Sequence, residues 1–414
     1  MSLPRVFIAG VSVTPNGKFP NRSVKSLTSE AVTKALNDAS ASVEDIEAAW
    51  FANTRQPILE GQNTIRGQVA LRPIGFSEIP IVNVENACAS GSTAIAQAIN
   101  FLRAGQGDVA LCVGVEKMFF PDRPELVAAA FRGGTDVEEL GATRQFVENL
   151  ASDMILDRDP AEKKAQRSLF MDIYAAQARL HMRKFGTTEN QLAAVAAKNH
   201  NHSVDNPMSQ YRNRMSVDEI LKDQLICWPL TRSMCAPISD GASATVLCSE
   251  NGLARFDRTR AIEIRGLALV TGSDRPIDDY SNHIGRRAAM GAYKEAGITA
   301  SDVDVAEVHD ATSFSEILQT ENLGFCMSGQ GGALAESGET SIGGSIPVNT
   351  SGGLVSKGHP VGATGIAQIA ELASQLRGEA GARQVKGARI AVAENGGGFQ
   401  GVEEAVTTVT VLAH

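Results

Sequence analysis

Apolar and polar positions alternate through residues 5–14 (RVFIAGVSVT) and again through 261–272 (AIEIRGLALVTG), each a β-branched run with an internal glycine. Alternation at period two predicts a strand with one buried face. After each run the period changes. Segments 30–54 (EAVTKALNDASASVEDIEAAWFANT) and 288–312 (AAMGAYKEAGITASDVDVAEVHDAT) both read as an Ala-rich amphipathic helix, a turn, an acidic step and a strand ending in a polar loop. Segments 91–105 (GSTAIAQAINFLRAG) and 362–378 (GATGIAQIAELASQLRG) share Gly-x-Thr-x-Ile-Ala-Gln, and 108–118 (DVALCVGVEKM) parallels 388–398 (ARIAVAENGGG).

Four matches in the same order define a duplicated βα unit. Strands alternating with helices predict an α/β fold with helices packed on mixed sheets, the two copies related by a pseudo-twofold axis that buries their apolar helices between them. One half comprises 1–120 with 237–258, and the other 259–414. The stretch 121–236 has no counterpart, is richer in charge and Met, and reads as an insertion of helices and long loops over the core.

Composition narrows the function. The chain has 414 residues, enough for a large core, and its 5% aromatic content with 39 glycines favours close backbone packing over a stacking surface. A net charge of -9 argues against a general nucleic-acid binder. The six cysteines show no CxxC or metal-ligand spacing, which suits a reducing compartment. Neither a signal peptide nor a membrane-length apolar run is evident, so a cytoplasmic protein without membrane insertion is the expectation. The tripeptide His-Asn-His at 200–202 has the look of metal ligands but lacks supporting pattern, and no metal is expected.

In an open α/β sheet, ligands sit where strand ends lead into helices. The unusual residues fall in those loops: Cys88 before the helix at 91–105, His309-Asp310 after the strand at 303–308, His359 before the helix at 362–378, and Glu394-Asn395 after the strand at 388–393. Cys88 and His359 occupy matching positions in the two copies. The pseudo-twofold therefore predicts that a nucleophile from one half meets a base from the other. A helix N-terminus and an adjacent imidazole favour thiolate over thiol, and backbone N–H groups at the helix start and in the NGGG turn supply an oxyanion hole.

The stretches NACASGSTA, VNTSGGLVSKGHPVGATGIAQ and the late Gly-rich turn resemble the three signatures of the thiolase family. EVHDATSFSEILQTENLGFC is similar to the His-Asp-Cys-Phe region of the sterol carrier protein-type thiolases. The resemblance covers essentially the whole chain. It implies two βαβαβαββ halves in a five-layer αβαβα sandwich with an inserted loop domain over coenzyme A. It also implies a homodimer or homotetramer acting on acyl-CoA thioesters, with coenzyme A as substrate and no permanently bound cofactor.

Carried over by position, Cys88 is the acylated nucleophile, His359 its activator, and His309 completes the first oxyanion hole. The N–H groups of Cys88 and Gly396 form the second. Ala236, in CAPISDG, matches a position beside the pantetheine arm, and Ala311 lines the substrate. Among Lys163, Lys164, Arg167, Arg179, Arg183 and Lys184, most are a solvated helix face, and some meet the nucleotide phosphates in the family.

The chain departs from the family at the acid/base thiol. Glu394 stands where most thiolases carry a second cysteine, and Ala311, followed by Thr312, stands where the sterol carrier type carries one. Three readings follow: Glu394 is the base for carbon–carbon chemistry, or the protein transfers or hydrolyses acyl groups without it, or it is a CoA-binding subunit that works with a small accessory protein.

Overall fold

The computed structural model describes residues 3–154 and 168–414. In the first half, β1 (Val6–Val13), β2 (Ala48–Ala52), β3 (Ile81–Val84), β4 (Val109–Glu116) and β5 (Gly241–Ser249) lie in the order β3-β2-β4-β5-β1. In the second, β6 (Ile262–Thr271), β7 (Val305–Glu307), β8 (Ile390–Gly397) and β9 (Val406–Ala413) run β6-β9-β8-β7. The second order mirrors the first, strand for strand. The counterpart of β3 shrinks to one parallel bridge, Val348 to Ala306, because Pro347 beside it has no N–H to give.

Seven helices matter here: α1 (Val24–Ala39), α2 (Ser90–Arg103), α3 (Leu169–Phe185), α4 (Glu189–Ser203), α5 (Ile284–Ala296), α6 (Ser313–Asn322) and α7 (Thr364–Arg377). Helix α1 starts with a Ser23/Ser26 capping box and ends where Ser40 turns left-handed. Its face of Leu27, Ala31, Val32 and Ala35 packs on the outer side of the first sheet wing. Helix α5 covers the second wing in the same way through Ala288, Ala289 and Ala292. The glycine inside each duplicated strand now has a cause. A Cβ on Gly10 would lie 2.7 Å from Ala39 Cβ, and one on Gly266 would lie 3.0 Å from Ala296 Cβ, so both let the outer helix settle onto the strand.

Between the wings lie α2 and α7, buried on nearly every side, as a helix sandwiched by two sheets must be. Ile95, Ile99 and Leu102 from α2 meet Ile366, Ile369, Leu372 and Leu376 from α7 in one cluster with residues of both wings. The layers are thus helix, sheet, helix, sheet, helix. The two β layers are wings of a single nine-stranded sheet, joined where β1 and β6 pair through Phe7–Glu263 and Ile8–Ile262. That seam contributes little, because each backbone hydrogen bond nets about 1 kcal/mol. Burial of each large apolar side chain in the middle layer is worth about 1.5–3 kcal/mol, so the central helices hold the halves together.

Helices α3 and α4 come from the unduplicated stretch, with a short hairpin of Leu225–Cys227 and Leu230–Thr231. Helix α4 packs against α6 and the turn at 353–357, and α3 against the hairpin. The 200–202 histidines are occupied by loops: His200 Nε2 meets the Ser233 carbonyl at 3.1 Å, and His202 Nδ1 meets that of Asn349 at 3.0 Å. No helix among the described residues is long and apolar enough to cross a membrane.

The α2 and α7 N-termini approach so closely that a Cβ on Gly365 would sit 2.5 Å from Ser92 N and 2.6 Å from Asn395 Oδ1. A Gly365→Ala variant is expected to lose about 1–3 kcal/mol of stability by overpacking, read as a lower denaturant midpoint. An unchanged midpoint would show that the central layer is looser than described.

Candidate active site

Cys88 stands at a tight corner between β3 and α2. Ala87 before it is held at φ 48°, a left-handed conformation that costs a residue with a Cβ. Across the pseudo-twofold, His359 precedes α7, and its Nε2 lies 3.3 Å from Cys88 Sγ. The expected meeting of the two halves is therefore in place. The remaining ring nitrogen fixes the tautomer. His359 Nδ1 lies 2.7 Å from Thr364 Oγ1, and that hydroxyl lies 3.1 Å from the Pro360 carbonyl, to which it can only donate. Nδ1–H therefore donates to Thr364, leaving the Nε2 lone pair facing the thiol.

His309 is set 5.1 Å from His359, ring centroid to centroid, with planes nearly perpendicular. Asn395 Nδ2 donates to its Nδ1 at 3.0 Å, and Ser92 Oγ donates to Asn395 Oδ1 at 2.8 Å. The proton on His309 is thereby placed on Nε2, where it can be offered to a substrate oxygen.

These groups open on a cavity of about 440 Å³ lined by Cys88, His309, His359, Ala236 and Ala311, with Met118, Phe131, Phe170, Tyr174 and Ile238 among its apolar walls. Cys235 and Arg55 line it too. Ala236 N–H donates to the Ala311 carbonyl at 3.0 Å, so the two small residues sit side by side, as a narrow channel requires. Lys163, Lys164 and Arg167 lie outside the described residues. Arg179 is buried and donates to the Trp228 carbonyl, Arg183 pairs with Asp153, and Lys184 donates to the Asp278 carbonyl. None of these three lines the cavity.

One expectation from the sequence changes here. Burial pushes the Cys88 thiol up to about 11, outweighing the pull of the Arg55 charge and the Gly398 N–H at its sulfur. Burial likewise pushes His309 down to about 4 and His359 well below the usual imidazole range. Desolvation wins over the helix start, so the resting pair is thiol and neutral imidazole rather than an ion pair. The N–H at the sulfur is that of Gly398. Gly396 lies two residues earlier, inside β8 opposite Thr407, where a Cβ would lie 2.9 Å from Glu404 Cγ.

Glu394 is not among the residues lining the cavity. It is fully buried behind His309, where Oε2 accepts the His309 backbone N–H at 3.0 Å. Burial raises its carboxyl well above the ordinary carboxylate value. The bond to Oε2 positions the His309 backbone, while the second oxygen, Oε1, is buried without a partner. Asn395 stood beside Glu394 among the loop residues that the sequence singled out, while Thr364, which orients His359, and Arg55, which lines the cavity, were passed over. Thr364 had a signal, its place five residues after His359 at a helix start, whereas Arg55 in NTRQP carried none.

Cys88, His309 and His359 also offer ligand atoms within 4.8 Å of one another, a spacing that zinc accepts. The hydrogen bonds that orient both rings serve proton transfer equally well.

Cys88 alkylation is expected to accelerate steadily from pH 7 to pH 10. A thiol raised toward 11 supplies thiolate only as pH climbs, and a plateau near neutrality would refute the neutral pair. A Glu394→Gln variant should keep acylation and cleavage within about threefold, because its amide oxygen still accepts the His309 N–H. A loss of about a hundredfold, the scale of a missing general base, would restore Glu394 as that base.

The chain matches two family models, "Thiolase, N-terminal domain" over residues 6–224 and "Thiolase C-terminal domain-like" over 275–411. It is 37% identical over 405 residues to an acetyl-CoA acetyltransferase of Methanothermobacter thermautotrophicus, covering 96% of this chain and 97% of that one. It is 36% identical over 403 residues to sterol carrier protein 2 of Oryctolagus cuniculus, covering 95% of this chain and 70% of the relative. A solved structure described as an Ltp2-ChsH2(DUF35) aldolase superposes with a TM-score of 0.78 at 22% identity, over 99% of this chain and 98% of that one. With the duplicated fold and the paired thiol and imidazole, these likenesses establish that the chain belongs to the thiolase family, as a thiolase-type CoA acyltransferase.

Proposed function

We propose that the protein forms or cleaves a 3-ketoacyl-CoA through an acyl-Cys88 intermediate. The observation that carries this reading is the 3.3 Å contact between Cys88 Sγ and the lone-pair-bearing Nε2 of His359 at the floor of an apolar cavity. In the first half-reaction Sγ attacks the thioester carbonyl while Nε2 takes its proton. The negative oxygen meets backbone N–H groups at the corner, that of Gly398 among them. The departing CoA thiolate takes the proton back from His359, leaving an S-acyl cysteine.

In the second half-reaction the α-carbon of a second CoA thioester loses a proton, and its enolate oxygen is held by His309 Nε2–H. The enolate carbon then attacks the acyl carbon and Cys88 leaves as thiolate. With Glu394 walled off, Cys235 supports the role of base. It is the other thiol lining the cavity, and it sits on a segment bridged to Thr312. Its thiol donates to the Thr231 carbonyl at 3.4 Å, and the next residue, Ala236, donates its N–H to the carbonyl of Ala311, the position where sterol carrier-type thiolases keep their cysteine. Burial holds the Cys235 thiol up at about 12, so it starts protonated. It passes that proton to His359, neutral again after the first half-reaction, and takes the α-proton in its place; His359 then protonates the departing Cys88 thiolate. The family's association into dimers or tetramers is proposed to hold here as well.

Incubation with acetyl-CoA and intact-mass measurement should show one acetyl group that Cys88→Ala lacks. Its absence would leave the chain as a CoA-binding subunit needing a partner. Cleavage of acetoacetyl-CoA by added CoA then reports the carbon–carbon step. Cys235→Ser is expected to slow that step by about a hundredfold or more while the acetyl adduct still forms. Undiminished cleavage would clear Cys235 of the role, and an adduct without cleavage at any chain length would leave acyl transfer alone.

A further inference from the structure

Arg55 takes no part in the proton transfers above, yet it lines the same cavity and is only 6% exposed. Its backbone explains how it is held there. The buried Glu116 carboxylate accepts the Arg55 N–H at 2.9 Å, the Thr54 N–H at 3.1 Å and the Thr54 hydroxyl at 2.9 Å. The same carboxylate takes the Gly362 N–H at 2.9 Å, tying this turn to the start of α7. Glu116 is thus spent on the backbone.

The guanidinium is left under-used. Nη1 donates to the Ala130 carbonyl, the Phe131 ring lies 5.4 Å from Cζ, and Nε is buried without an acceptor. No carboxylate among the described residues forms an ion pair with it. The buried Glu116 feels the Arg55 charge but is engaged by other donors and makes no direct ion pair with the guanidinium. A buried cation without a direct partner calls for an explanation. Its charge is felt at both reacting groups, since it pulls the Cys88 thiol and the His359 imidazole downward. Hydrophobic walls of Met118 and Phe131 complete this side of the cavity. A planar donor fork in such a setting matches a carboxylate.

We propose that Arg55 receives a carboxylate carried by the acyl group. The preferred substrates are then CoA thioesters of dicarboxylic acids, with the thioester carbonyl at Cys88 and the free carboxylate on the guanidinium. This rests on the acyl-Cys88 reading above and adds a substrate class to it.

The test uses length-matched pairs: succinyl-CoA with butyryl-CoA, glutaryl-CoA with pentanoyl-CoA, and adipyl-CoA with hexanoyl-CoA. For at least one pair the carboxylated ester should acylate Cys88 at least about tenfold faster. Arg55→Gln should collapse that ratio toward one, and Arg55→Lys should retain part of it. Calorimetric titration of the same pairs onto Cys88→Ala reads the preference without any acylation. A binding preference with no adduct on the unmodified protein would overturn the acyl-enzyme reading and keep this one. Equal rates and equal affinities across all three pairs, in the unmodified chain, would overturn the assignment of Arg55 whatever the variants do.

Discussion

The approach of two helix N-termini, one from each half of a duplicated chain, is the constraint on which the structure depends. Cys88 and His359 are far apart in sequence, and each is tied to the other's half: Cys88 Sγ meets His359 Nε2, and the His359 N–H donates to Ser239 Oγ at 3.0 Å. Gly91 and Gly365 make the approach feasible. A Cβ on Gly91 would lie 3.0 Å from the Gly362 carbonyl, and one on Gly365 would crowd Ser92 and Asn395. Small residues at the crossing let the backbones come together, and large apolar residues further along α2 and α7 supply the driving force. Sequence, packing and chemistry meet in one short stretch.

Around that point the protein places buried acids in structural roles. Asp310, next to His309, accepts the Leu354 N–H at 2.6 Å and the Asn199 amide at 2.9 Å, and so holds the turn that leads into His359. Burial, reinforced by the Glu316 charge, raises the Asp310 carboxyl well above the ordinary range. Glu394 braces the backbone of His309, and Glu116 braces that of Arg55. Each carboxyl gathers backbone donors that would otherwise be orphaned under the sheet ends. The loops carrying the reactive groups are thereby fixed by buried acids that spend their oxygens on the backbone.

Much of this was legible in the amino-acid pattern. The change from period two to a helical period marked β1, α1 and their counterparts, and the shared Gly-x-Thr-x-Ile-Ala-Gln marked the central pair. Cys88 and His359 were legible as partners because duplicated loops must meet across the axis. What pattern alone could not carry was the environment. The helix start argued for a thiolate at Cys88, but the apolar walls come from Met118, Phe170 and Ile238, distant in sequence. Glu394 stood at a catalytic position by resemblance, and only strand packing shows its carboxyl bonded to the His309 backbone. Arg55 was silent because its setting is created by Glu116, on a different strand. Cys235 lay near the return from the unduplicated stretch in the sequence, and its place in the cavity wall follows from the bridge to Thr312.

The seam between β1 and β6 carries a mechanical consequence. Because the sheet runs unbroken from one half into the other, and the middle layer is shared, the two halves behave as one rigid frame with no hinge between them. Any opening of that frame would be paid at once in the distance between sulfur and imidazole. The unduplicated stretch instead contributes wall, with Met171, Tyr174 and Cys235 among its residues that line the cavity. Topology thus divides the labour: the shared frame sets the spacing of sulfur and imidazole, and the unduplicated stretch shapes the space above them.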